Sequence, residues 1–336
     1  MTGDRSLYVG TGHALYRAWP GADGRWRAEG VALAGVGGVR GLVIDPDDPR
    51  RWCACTSSHG VLVSDDAGIR WHDANRGIVY KEGWCLSRHA AMGDLWYGAG
   101  PTSIFRSADR GDTWTFCESV NGLPDWEDWD AARPPHVSHV RDIAVRDDGL
   151  AMAAVEQGWL LRSEDGGRSW ANVREGLERD CHSVTFLPGE AETVIATTGR
   201  GVFRSEDSGR TFAPSGEGLR HHYMTPLVVH PDRPHVLFTA AAETHPLTWV
   251  ERPEGANAAF YRSDDAGRSW RRLTGGLPPT LRPAPRCVAG DPGDPDSFYI
   301  GLIDGSVWLS EDGGESFGIV VEGLQGWVQH LLVVRR

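Results

Sequence analysis

Thirteen histidines are spread through the sequence, and several stand beside arginines and carboxylates at matching points of a repeating pattern. His59 and Arg200 each lie five residues before a recurring octapeptide, and His13 holds the corresponding place near the start. Arg40, Arg141, His182 and Arg286 share a second column, with His139, Asp180, His222 and Tyr223 close by. Neutral imidazoles from separate segments can converge on a divalent transition metal, which makes His13, His59, His139, His182 and His222 candidate ligands. His182 and His222 are also candidate proton-transfer groups, and Glu156 and Asp142 are candidate catalytic carboxylates or further ligands. Guanidiniums can clamp a carboxylate or phosphate through paired hydrogen bonds, so Arg40, Arg141, Arg286 and Arg200 are candidate receptors for a small anionic ligand. Tyr223 and Trp249 would supply polar-tipped or aromatic walls for it.

What must position these residues is read from the octapeptide itself. SDDAGIRW (64–71), SADRGDTW (107–114), SEDGGRSW (163–170), SEDSGRTF (205–212), SDDAGRSW (263–270) and SEDGGESF (310–317) repeat one pattern at intervals of 43, 56, 42, 58 and 47 residues. Such a period signals a repeat architecture. A degraded seventh copy, within LYRAWPGADGRW (15–26), lacks the leading Ser. Each copy sits among short β-rich runs broken by Gly, Pro and Asp turn signals, four runs to a unit. No helix follows the octapeptide as a phosphate loop requires, and the ligand spacing of a helix-flanked calcium loop is absent. A turn is the remaining reading: the Asp carboxylate accepts backbone N–H groups and the Gly tolerates positive φ.

Seven such units predict an all-β chain: a single seven-bladed β-propeller of four-stranded antiparallel blades spanning residues 1–336. SLYVGTG (6–12) matches the second strand of the other units, and GWVQHLLVVRR (326–336) reads as an inner strand without a partner. The first blade is therefore expected to be completed by the C-terminal strand, removing an open edge.

The six octapeptides resemble the Asp-box, or BNR repeat, of sialidases, sortilin-type receptors, xyloglucan-degrading glycosidases and a photosystem II assembly factor. The resemblance spans nearly the whole chain and implies a propeller with each box between the third and fourth strands of a blade. Sialidases use an arginine triad near the axis, and Arg40, Arg141 and Arg286 are similar in number and kind. The chain has no Arg-Ile-Pro motif near its first strand and seven units where sialidases have six, so their catalytic tyrosine and acids are not carried over.

In a propeller the loops joining the second and third strands, and those leading into each inner strand, gather on the face opposite the octapeptide turns. Both candidate columns belong to that face. So do two long insertions, 119–135 with Trp126 and Trp129 and 242–259 with Trp249, which suit a lid or a stacking wall. Ligands favour such axial mouths. The sequence thus predicts an axial pocket for a small anionic ligand, with a metal-dependent enzyme as one form of it. One alternative is a non-catalytic scaffold that binds a protein partner. The other is a glycoside hydrolase of sialidase-like type, using two carboxylates among Asp125, Glu127, Asp128, Asp142, Glu156 and Asp180.

Composition narrows the classes. The net charge of −12 and the lack of a Lys/Arg run argue against nucleic-acid and membrane-surface partners. MTGDRSLYVG has no apolar run of signal-peptide length, so a cytoplasmic location is expected. The six cysteines form no CxxC pair and are expected to be buried thiols.

Overall fold

The computed structural model describes residues 5–31, 33, 36–89, 92–129 and 137–335. Seven antiparallel sheets are arranged as the blades of a propeller. From inner to outer strand, the second blade runs Val39–Ile44, Trp52–Thr56, Gly60–Ser64 and His72–Asp73. The third to fifth blades repeat this order from inner strands Glu82–Arg88, Val140–Val145 and Cys181–Phe186. In the sixth the inner strand is split into Tyr223–Met224 and Val228–Val229, and the seventh begins at Pro285–Asp291. The first blade takes its inner strand from the end of the chain, Val328–Arg335 pairing with Arg5–Thr11 along the full length of the latter. The closure expected from the sequence is what the structure shows.

The second and third strands are apolar on both faces because each blade is covered by its two neighbours. Trp52–Thr56, Ala151–Val155 and Val194–Thr198 are buried at every position. The core is therefore a series of interfaces between blades. Phe238 of the sixth blade stacks on Phe298 of the seventh with centroids 4.0 Å apart, and Tyr8 of the first meets Trp52 of the second edge-on at 4.8 Å.

The octapeptides are turns between third and fourth strands. In SEDGGRSW the Ser163 hydroxyl donates to Asp165 Oδ1 and accepts the Gly167 N–H, while Asp165 accepts the Ser169 N–H and hydroxyl. This bonding holds Asp165 well below the usual carboxylate range, at about 2. The closing aromatic of the octapeptide clasps the blade before it. The backbone N–H groups of Trp114, Phe212, Trp270 and Phe317 donate to the carbonyls of Arg76, Glu175, Glu217 and Gly275, at 2.8, 3.1, 2.8 and 3.0 Å. The glycine after each acceptor is pressed against the same aromatic's carbonyl oxygen; a Cβ on Gly176 would lie 1.8 Å from Phe212 O.

A second regularity sits at the axial end of the inner strands. In six of the seven blades one inner-strand residue is left out of the ladder as a bulge. Arg40 falls between Val39 and Gly41, Trp84 between Gly83 and Cys85, and Arg141 between Val140 and Asp142. His182, Arg286 and Gln329 are omitted in the same way. A bulge re-aims the extra side chain out of the pleat. Six residues, three of them arginines, thus share one position at the axial end of the inner strands.

Candidate functional site

The mouth opens into a cavity of about 490 Å³, within the range of small-molecule sites. Its walls include the bulge residues Trp84, Arg141 and Arg286, together with His139, Glu156, Asp180 and Tyr223. His245, Pro246 and Leu247 of the long sixth-blade insertion close one side, and Trp327 another. The face chosen from the sequence for both columns and for 242–259 is the face that carries the cavity.

Charge is organised along one wall. Arg141 donates to Glu156 Oε2 at 2.6 Å. Burial opposes the Glu156 charge, but Arg141 outweighs it and holds the carboxylate well below its ordinary range. Burial likewise works against the Arg141 cation, yet Glu156 keeps its pKa raised. His139 lies with Nε2 3.9 Å from Glu156 Oε2 and its ring stacked on Trp84 at 3.4 Å. Burial pushes His139 down to about 3, helped by Arg141 and Arg286 against the pull of Glu156, so its imidazole is neutral near pH 7. Arg40 covers the far face of Trp84, its guanidinium carbon 3.6 Å from the ring centre. It donates to Gly83 O and faces Glu82 at 3.6 Å.

Arg286 differs from Arg141. Its Nε donates to Gln329 Oε1 at 3.2 Å, and no carboxylate among the described residues forms an ion pair with it. Burial, and then the nearby Arg141 charge, lower it to about 10. A half-buried guanidinium without a counter-ion is costly unless something supplies one.

Beside this wall a second group forms. Ligand atoms of Glu156, Asp180 and His182 all lie within 4.8 Å of one another. His182 is 1% exposed; its Nδ1 is 2.7 Å from Met224 O and its Nε2 is 3.3 Å from Asp180 Oδ2. Neither that Nε2 nor Asp180 Oδ1 has a hydrogen-bond partner among the described residues.

His13, His59 and His222 are exposed and lie outside the cavity wall, His59 being bonded to its neighbour Ser58. The five-histidine metal set is therefore not brought together, because the turns carrying His13 and His59 belong to blades one and two, away from the blade that holds His182. Asp142 accepts the Val184 N–H at 3.1 Å inside the inner ring and does not line the cavity. Burial raises it to about 6. Arg200 is a rim residue paired with Glu178 at 3.4 Å. Arg40 stands behind Trp84 and away from the cavity. Trp249 backs Tyr223 edge-on at 5.9 Å.

In the 119–135 insertion, residues beyond 129 lie outside the described ones. Trp126 bonds Thr102 O and Trp129 is 5% exposed in the core, so neither forms a stacking wall. Asp125, Glu127 and Asp128 are exposed there and do not reach the cavity. Sequence reasoning missed Trp84, Glu82, Glu178, His245 and Trp327. Trp84 alone carried a signal, since it occupies the same column as Arg40 and Arg141.

No family model matches the chain, and no curated protein sequence matches it. Solved structures do. A GH74 xyloglucanase from Xanthomonas campestris superposes with a TM-score of 0.63 at 17% identity, over 87% of this chain and 46% of its own. An ancestral GH74 enzyme gives 0.64 at 16%, over 100% and 40%. YCF48 bound to D1 peptide gives 0.58 at 14%, over 90% and 91%. The chain thus spans less than half the length of these GH74 proteins and nearly all of YCF48. At such identities the likeness is one of fold.

Proposed function

We propose that this propeller binds a small anionic ligand in its axial cavity, with Arg286 as the primary receptor and Arg141 beside it. The observation that carries this reading is the half-buried Arg286 guanidinium, bonded to an amide oxygen and without an ion-pair partner among the described residues. A carboxylate or phosphate accepting from its terminal N–H groups would supply the missing counter-charge. Arg141 is already committed to Glu156, so it adds field more than a free hydrogen-bonding fork. Trp84, Tyr223 and Trp327 give the rest of the ligand an apolar or ring-shaped wall.

The direct test is thermal unfolding of the wild type and Arg286→Ala against a panel of small mono- and dicarboxylates and phosphomonoesters. A ligand at a hundred times its dissociation constant stabilises by about 2.7 kcal/mol, well within detection. A panel that stabilises neither protein, or both equally, would sink the proposal.

A second reading has its own support: a peptide or protein partner whose carboxylate enters the same cavity. Leu247 at the cavity wall and Val250 on the same sixth-blade insertion are 54% and 94% exposed, and the YCF48 structure matched over nearly its full length holds a D1 peptide. Replacing Val250, which does not line the cavity, with Ser would weaken capture of such a partner while leaving small-anion binding intact. A glycosidase reading is narrowed to Glu156 and Asp180, the cavity carboxylates among those considered from the sequence.

A further inference from the structure

We propose that Glu156, Asp180 and His182 bind one divalent transition-metal ion at the wall of the axial cavity. The three come from different pieces of backbone. Glu156 lies in the hairpin after the second strand of blade four, Asp180 in the loop approaching blade five, and His182 at the bulge of blade five's inner strand. The bulge matters: in a regular ladder residue 182 would take a place in the pleat between Cys181 and Ser183, and its ring would not be free to turn toward Asp180.

The orientation of His182 singles it out. A carbonyl oxygen can only accept, so the 2.7 Å contact with Met224 O places a proton on Nδ1. In the neutral ring Nε2 then carries a lone pair, and it faces the Asp180 carboxylate at 3.3 Å without forming a hydrogen bond. Two acceptors at that distance repel unless a cation lies between them. An imidazole with Nδ1–H held by a backbone carbonyl and Nε2 bare is the arrangement that orients a metal-ligating histidine. The separation of this pair also fits. Two ligand atoms each about 2.1 Å from one ion stand about 3.4 Å apart at a tetrahedral angle. Asp180 Oδ1, buried and without a partner among the described residues, is a second unsatisfied atom at the same place.

One nitrogen and two carboxylates suit Zn²⁺, Mn²⁺ or Fe²⁺ better than a soft ion. Three protein ligands leave coordination positions open, and Glu156 and Asp180 both line the cavity, so those positions face the space where a ligand would sit. Of the histidines proposed from the sequence as ligands, His182 alone belongs to this set. The site shares the cavity with the anion receptor but does not rest on it.

The test is calorimetric titration of tag-free, chelator-treated protein with ZnCl₂ and MnCl₂, alongside the visible spectrum of a Co²⁺-loaded sample. One ion per chain is expected, with affinity weakened at least about tenfold in Asp180→Asn and in His182→Gln, and unchanged in His13→Ala and His222→Ala. Far-ultraviolet melts of the two ligand variants establish that they fold, and the conservative Asp180→Asn keeps the test decisive if His182→Gln does not. Wild-type protein that takes up no ion at millimolar metal, or variants that bind as tightly as the wild type, would overturn the site. Anion binding that persists in chelator while metal uptake is absent overturns this inference and leaves the anion receptor standing.

Discussion

The guanidinium of Arg286 is tied to the side-chain amide oxygen of Gln329, 3.2 Å away, across the junction of the last and first blades. An amide oxygen orients the cation without neutralising it. Arg286→Ala is therefore expected to weaken anion binding at least about tenfold, the loss of one charge-assisted hydrogen bond or more. In Arg286→Lys the same burial and the same Arg141 neighbour would depress the lysine's pKa. Its anion affinity should then fall as pH rises through the mildly alkaline range. Calorimetry of the three proteins at pH 6.5 and 9 checks both; a Lys variant whose affinity is flat with pH contradicts the assignment.

Arg40 carries the same charge but faces the other side of Trp84. Its removal should cost about 1 kcal/mol of stability through the lost cation–π contact, while anion affinity changes less than about twofold. Urea unfolding and calorimetry of Arg40→Ala separate the two quantities. A large affinity loss would put Arg40 in the binding site after all.

Gly176 and Gly189 both have positive φ, at 70° and 83°. A side chain at Gly189 meets nothing within 4 Å, whereas at Gly176 it would strike Phe212 O. Gly189→Ala should cost about 1–2 kcal/mol, the penalty of the left-handed conformation. Gly176→Ala must also break the clasp between blades four and five, and about 3 kcal/mol or more is expected. Equal midpoints in denaturant would refute the clasp.

Asp142 gives a pH dependence of defined sign. Its folded pKa of about 6 is above the unfolded value, so its contribution is fully present below about pH 4 and lost as pH rises through 6. A shift of this size corresponds to about 3 kcal/mol. Asp142→Asn keeps an acceptor for the Val184 N–H without the charge. The variant should therefore gain about 3 kcal/mol on the wild type between pH 4 and pH 8. Parallel stability curves across that range would show that the carboxylate is not constrained as described.

The propeller was legible because one eight-residue turn recurs six times, and because GWVQHLLVVRR has the character of an inner strand beyond the last octapeptide unit. The axial column was legible for a related reason: the bulge recurs at a fixed distance from the next turn, so Arg40, Arg141, His182 and Arg286 align when the repeats are superposed. Trp84 aligns too, yet a tryptophan in a strand reads as core, and only the missing ladder partner reveals that it faces the mouth. The histidine set failed for a geometric reason. Two columns put His13 and His59, and separately His182, on one face but on different blades, and whether side chains from different blades meet depends on their position around the axis, which spacing does not encode. Glu156 and Asp180 meet His182 because their loops are adjacent at the junction of blades four and five.

The bulges have a further consequence for how such a molecule can change. A residue outside the ladder has no cross-strand partner to lose, so Arg40, Trp84, Arg141, His182, Arg286 and Gln329 can differ in charge, size and aromaticity within one repeated backbone. At Trp84, Arg141 and Arg286, which line the cavity, recognition is thereby written on positions that carry no ladder pairing. A new specificity can be built by exchanging these three letters while the ladder that displays them keeps its pairing.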